Sequence, residues 1–293
     1  MANFDIYAAI TDRIIAELEN GIIPWHKPWT GTTTGAISRE TGRPYSLLNQ
    51  MLLGTPGEYL TWNQVKKEGG SVKKGAKAKM VVFWKVYPRE KKNTDGQTIT
   101  DAEGKPVMEG LPVLRYFNVF HIDDCEGIKP KYTAENTKHA DPIQYAEETF
   151  ADYVSRSGVR FENVRQDRAY YSPSQDLIRL PLMEQFPDTA EYYSTLFHEA
   201  THSTGHAKRL DRLPKDAIAA HFGSEEYSKE ELVAEIGAAS ILNVLGIETA
   251  GTFKNSAAYI RSWLKALKND KRMIVSAAAR AEKAVKLILN TAE

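Results

Sequence analysis

Of the 293 residues only one, Cys125, is a cysteine, so no internal disulfide can hold the fold and the chain suits a reducing compartment. Net charge is missing too: 38 Lys and Arg are matched by 38 Asp and Glu, which argues against a globally basic nucleic-acid binder. No stretch approaches the roughly 18 consecutive apolar residues that a membrane span needs. The first twenty residues hold Asp5, Asp12, Glu17 and Glu19 without a long apolar run, so no secretory leader is expected. At 42% apolar and 26% charged, the composition is that of an ordinary globular protein, expected in the cytoplasm, off the membrane, and long enough for two domains.

The chemistry is concentrated in Phe197-His198-Glu199-Ala200-Thr201-His202-Ser203. On a helix, positions i and i+4 stand one above the other, so His198 and His202 can aim two imidazoles at one metal ion. Glu199 is placed to act as a general base beside an open coordination position. Asp188 supplies an N-cap with Glu191 three positions on, which starts a helix that carries the motif. This H-E-x-x-H pattern points to a metal-dependent hydrolase of the zincin type.

A third ligand is needed, and position 208, where a metzincin has His, is a lysine. A second helix starting at Ser228 offers Glu231 and Glu235, four apart and on one face. This E-x-x-A-E segment resembles the glutamate helix of gluzincins. That resemblance makes Glu231 the ligand and Glu235 the acid that hydrogen-bonds a ligating His, with the reverse assignment left open. One divalent ion is implied, Zn2+ by ligand type, with Mn2+ or another ion as alternatives.

Charge is uneven along the chain. Ten basic residues between positions 66 and 92 face only Glu68 and Glu90, enough for a polyanion site. Single-stranded nucleic acid needs cations for phosphates and aromatic faces for bases. Candidates are Lys66, Lys67, Lys73, Lys74, Lys77, Lys79 and Lys85, with Trp25, Trp29 and Tyr45 for stacking, while Phe83 and Phe117 read as core.

The periodicity predicts helices over 4–20, 44–53, 61–67, 143–157, 228–245, 253–268 and 270–290. It predicts strands over 81–87, 114–120, 159–162, 169–171 and 176–181, with a polar hairpin tip or loop over 91–110. The fold class is therefore α+β: a nucleic-acid-binding α+β domain over 1–126, a linker over 127–141, and a zincin-like helix and sheet domain of gluzincin type over 142–293.

The succession Gly21-Ile22-Ile23-Pro24-Trp25-His26-Lys27-Pro28-Trp29, Gly42-Arg43-Pro44-Tyr45, Asn49-Gln50-Met51-Leu52-Leu53 and Gly75-Ala76-Lys77 resembles the N-terminal domain of the ArdC antirestriction family. Residues 196–206 and 230–238 resemble that family's zincin-like domain. The resemblance implies a front domain that binds single-stranded DNA and a rear metallopeptidase domain, in a protein of mobile elements that protects incoming DNA from restriction. Its partners would be single-stranded DNA and a protein substrate that the sequence leaves unidentified. A DNA-shielding protein with a structural or inactive metal site is the competing account.

Overall fold

The computed structural model describes residues 4–26, 35–132, 141–213, 225–247 and 256–291. Along the chain run α1 (Ile6–Glu19), β1 (Ala36–Ser38), α2 (Leu47–Leu53), β2 (Gly57–Thr61), α3 (Trp62–Lys67), β3 (Ser71–Val72), β4 (Lys79–Glu90), β5 (Met108–His121) and β6 (Cys125–Glu126). There follow α4 (Pro142–Ser157), β7 (Arg160–Asn163), β8 (Tyr170–Ser172), β9 (Leu177–Leu180), α5 (Thr189–Ser203), α6 (Glu225–Leu245), α7 (Ser256–Asn269) and α8 (Met273–Leu289). Helix and sheet are mixed in both halves, as the α+β expectation requires.

The chain divides into two compact units, Met1–Ile6 with Leu60–Ile128, and Tyr7–Tyr59 with Lys129–Glu293. This grouping differs from the expected division at 126. The first unit ends close to the anticipated boundary, but residues 7–59 pack with the rear half of the chain rather than with 60–128.

In the first unit, Thr61 opens α3 with a reciprocal cap: its hydroxyl accepts from the Gln64 N–H, and the Gln64 side chain accepts from the Thr61 N–H. Leu60, Val65, Ile122 and Cys125 close a small core. β4 and β5 pair antiparallel over the whole of β4, from Lys79 opposite Val119 to Glu90 opposite Met108. The polar stretch beyond them is ordered by two side-chain-capped turns. Asn93 accepts from the N–H groups of Asp95 and Gln97, and Asp101 from those of Glu103 and Lys105.

In the second unit, β1 and β2 run parallel from Ala36 opposite Gly57 to Ser38 opposite Tyr59. The Gln50 side chain holds β1 by accepting from the Ala36 N–H at 2.7 Å and donating to the Ala36 carbonyl at 2.9 Å. Gly35 fits above it with φ +55°, where a Cβ would stand 2.7 Å from Gln50 Oε1. α2 meets α8, where Glu282 accepts from the Leu47 N–H, and Thr11 of α1 donates to the Lys271 carbonyl. Glu58, 2% exposed, accepts from the Lys131 N–H and pairs with Arg39, which also donates to the Lys129 carbonyl.

The rear core of this unit is built around Tyr153, Ile178, Tyr193, Phe197, Ile241 and Ile288. Its small sheet has the order β7-β9-β8, with β7 parallel and β8 antiparallel to β9, so β8 is an edge strand. Asp141 caps α4 by accepting from the Ile143 and Gln144 N–H groups, with Pro142 at the first helical position, and Gly158 ends it at φ +69°. Asp188 caps α5 by accepting from the Glu191 N–H at 2.8 Å.

Candidate metal centre

α5 turns Leu196, Phe197 and Ala200 into the core, all at most 2% exposed. With a 3.6-residue period this leaves His198 and His202 together on the opposite side, their Nε2 atoms 3.1 Å apart. α6 lies against α5, and its apolar residues Leu232, Val233, Ala234 and Ile236 are fully buried. Contact between the helices is close because residue 237 is glycine: a Cβ there would stand 2.6 Å from Thr201 Cγ2.

This apposition brings Glu231 to both imidazoles. Its carboxylate lies 3.5 Å from His198 Nε2 and 3.3 Å from His202 Nε2. One donor atom from each of the three residues falls within 4.8 Å of the others. Glu235 instead faces the other nitrogen of His198, with Oε1 3.8 Å from Nδ1. Glu230, which the sequence reading passed over, is 3.2 Å from His202 Nδ1. Arg212 grips Glu230 with two N–H donors at 2.7 and 2.8 Å.

The electrostatics fit a cation. Burial lowers the basicity of both imidazoles, but carboxylates outweigh it, with Glu231 raising His198 and Glu230 with Glu231 pushing His202 up to about 10. Glu231 is correspondingly held far below the usual carboxylate range: burial opposes the shift, and the bonds to His198 and His202 overcome it. The carboxylates thus demand positive charge at this point. Two imidazole nitrogens and one carboxylate are the donor set that suits a divalent ion of the zinc class.

A cleft of about 310 Å³ opens beside the cluster, lined by His26, Ser194, Thr195, His198, Glu199 and Glu235 among others. Glu199 therefore faces the space next to the candidate ligands. Ala169, just before edge strand β8, and Thr195 line this cleft and also a neighbouring one. His26 comes from the turn Pro24–His26, with Nε2 3.6 Å from Glu235 Oε2. No spacing rule could have linked it to residues of α6 so distant in the chain.

The residues read as DNA contacts are divided between the units, Trp25 and Tyr45 in the second and the lysines in the first. Trp25 is 1% exposed and packs edge-on against Trp263 at 5.2 Å, so it is core and not a stacking platform. Trp29 lies outside the described residues. Tyr45 is half-buried against Tyr59, its hydroxyl pushed up by burial. Lys66 lies over the Trp62 ring, Lys73 donates to the Asp123 carbonyl, and Lys67, Lys74, Lys77 and Lys85 are exposed, with Lys79 half-buried at the start of β4. Phe117 corrects the reading in the other direction, since it is 53% exposed. Among the described residues no helix is long and apolar enough to cross a membrane.

Two families match the chain: the N-terminal domain of anti-restriction factor ArdC over residues 4–120, and a zincin-like metallopeptidase over residues 148–280. A DNA primase TraC of Escherichia coli is 36% identical over 295 residues, covering 96% of this chain but 26% of its own length. The chain thus spans about a quarter of that relative. An uncharacterized protein y4eC of Sinorhizobium fredii (strain NBRC 101917 / NGR234) is 30% identical, covering 95% of this chain and 89% of its own. The antirestriction ArdC protein from plasmid R388 has a similar fold in its metal-free crystal structure, with TM-score 0.72, 35% identity and 97% of both chains covered. Its Mn(II)-bound structure gives TM-score 0.73, 34% identity and 98% of both chains. With its ArdC N-terminal domain followed by a zincin-like domain, the chain belongs to the ArdC antirestriction family.

Proposed function

We propose that this antirestriction protein binds single-stranded DNA and cleaves peptide bonds in a protein partner, with His198, His202 and Glu231 holding one divalent ion, Zn2+ by preference. The observation that carries the reading is the convergence of the two Nε2 atoms and the Glu231 carboxylate beside a cleft that Glu199 lines. When bound, the ion supplies Lewis acidity, polarising a carbonyl oxygen and acidifying water. Glu199 takes a proton from the attacking water as its oxygen bonds to the carbonyl carbon, then delivers that proton to the leaving amine. Glu230 orients the His202 imidazole from its Nδ1 side and fixes its tautomer, while Glu235 faces Nδ1 of His198 from farther off. β8, an edge strand whose preceding residue Ala169 lines the cleft, offers backbone partners to an extended peptide. DNA as a partner is supported by the ArdC N-terminal domain and by the names of the TraC and R388 relatives.

The test is Glu199→Gln. It is expected to retain metal and single-stranded DNA binding and to lose proteolysis of a protein substrate by at least about 100-fold, the scale of general-base catalysis. Undiminished proteolysis by that variant removes Glu199 from the role. If instead no proteolysis is found in the wild type, and both proteins protect incoming DNA equally, protection is by strand occupancy and the peptidase reading fails.

A further inference from the structure

The β4–β5 ribbon has two chemically different faces. Directly opposed residues in an antiparallel pair share a face, and neighbours along each strand alternate. The register therefore puts Lys79, Phe83, Lys85, Tyr87 and Arg89 on the same face as Arg115 and Phe117. Every Lys and Arg of the two strands is on that face, with Glu109 as its one carboxylate. The other face carries Val82, Trp84, Val86, Leu114 and Tyr116 and no cation.

Aromatic rings stand among the cations. Phe83 and Phe117 are diagonal neighbours stacked at 4.7 Å with an interplanar angle of 9°. Phe117 keeps 53% of its surface in solvent. Two rungs along, Lys85 Nζ is 5.1 Å from the Tyr87 ring centroid and the Arg115 guanidinium carbon 5.6 Å, with Arg115 donating to the Tyr87 hydroxyl at 3.0 Å. A parallel pair of rings, Phe117 exposed and Phe83 half-buried, beside cations matches what a strand of unpaired bases needs: a face to continue a stack, and charges for the phosphates between them.

We infer that single-stranded DNA lies along this face of β4 and β5, with a base stacked on Phe83 and Phe117 and its flanking phosphates held by Lys85 and Arg115. The inference rests on the DNA-binding part of the function proposed above and gives it an address. Of the lysines read from sequence, Lys79 and Lys85 belong to this surface. Trp25, being buried, does not.

The experiment is fluorescence anisotropy of the full chain with a labelled oligothymidylate of about 16 nucleotides, near the upper end of site sizes for such surfaces, at two salt concentrations. Phe83→Ala combined with Phe117→Ala is expected to weaken binding by about tenfold or more, with Phe117→Trp restoring it. Lys85→Glu with Arg115→Glu is expected to flatten the salt dependence. Trp84→Ala, on the opposite face, is expected to bind as wild type does. The inference is overturned if the double Phe variant, with an unchanged melting temperature, binds as tightly as wild type, or if Trp84→Ala accounts for the loss. Tighter binding of wild type to oligouridylate overturns DNA as the occupant. If wild type binds no oligonucleotide at all, it is the DNA-binding reading itself that fails.

Discussion

His202 is held from both sides. Glu231 approaches its Nε2 at 3.3 Å and Glu230 its Nδ1 at 3.2 Å, and Glu230 is locked in turn by Arg212, whose side chain is only 5% exposed. An imidazole that donates through Nδ1 to a carboxylate is fixed in the tautomer whose Nε2 lone pair faces a metal, and is made a better donor. Glu235 is less well placed to do the same for His198, because 3.8 Å from Nδ1 is beyond hydrogen-bond reach. Glu230→Gln is therefore expected to raise the dissociation constant for Zn2+ by about 10- to 100-fold, measured by competition with a chromogenic chelator. The effect of Glu235→Gln should be smaller. A larger loss in Glu235→Gln than in Glu230→Gln would reverse this ranking and move Glu235 into the ligand set.

At the scale of elements, the site depends on how closely α5 and α6 approach. Gly237 sets that distance, since a methyl group there would meet Thr201 Cγ2 at 2.6 Å and Thr201 Oγ1 at 2.9 Å. Two effects compete in Gly237→Ala. Helix propensity favours alanine by up to about 1 kcal/mol, while overpacking a tight contact costs about 1 to 3 kcal/mol. The packing term should win, so Gly237→Ala is expected to lower the unfolding free energy in denaturant titration and to weaken metal binding with it. Thr201→Ala removes both clashing atoms and leaves Cβ at 3.3 Å. Added to Gly237→Ala, it should recover stability, giving a coupling of opposite sign to the single losses. Additive losses would show that the helices are not in the contact described. The helices that carry this contact were legible in the sequence because their signals are local: the Asp188 cap and the one-turn spacing of His198 and His202 on α5, and Glu231 and Glu235 four apart on α6. Of the strand partners, the antiparallel neighbours β4 with β5 and β8 with β9 were legible as hairpins, and the parallel pairs were not. β1, three residues long, carries too little alternation to announce itself, and the parallel pairing of β7 with β9 is decided by tertiary packing. Phe117 was misread for a related reason, since apolar residues along a strand do not say which of them the ribbon leaves in solvent.

At the scale of the whole molecule, the order of residues in sequence is a poor guide to what folds with what. Residues 7–59 precede the β4–β5 ribbon but belong to the unit that holds the candidate metal centre. Trp25 fills core against Trp263, Leu47 of α2 binds Glu282 of α8, and His26 reaches Glu235 beside the cleft. Trp25 was misassigned to DNA because nothing near it in sequence reveals a partner in α7. A fragment of residues 142–293, the rear domain as sequence would cut it, thus exposes the surfaces that α2 and the Pro24–His26 turn cover. It is expected to lack a cooperative melting transition in circular dichroism. The excision the structure favours is a different one. Glu58 accepts from the Lys131 N–H and Arg39 donates to the Lys129 carbonyl, so the chain leaves this unit and returns to it at neighbouring points. Replacing residues 61–127 with a short Gly-Ser linker should preserve the unit, because a brief loop closes at little entropic cost. That shortened chain is expected to melt cooperatively and to gain about 2.7 kcal/mol of stability at Zn2+ 100-fold above its dissociation constant, while losing oligothymidylate binding with the ribbon. Cooperative unfolding and zinc stabilisation of the 142–293 fragment, with neither in the shortened chain, would show that the sequence boundary is the physical one.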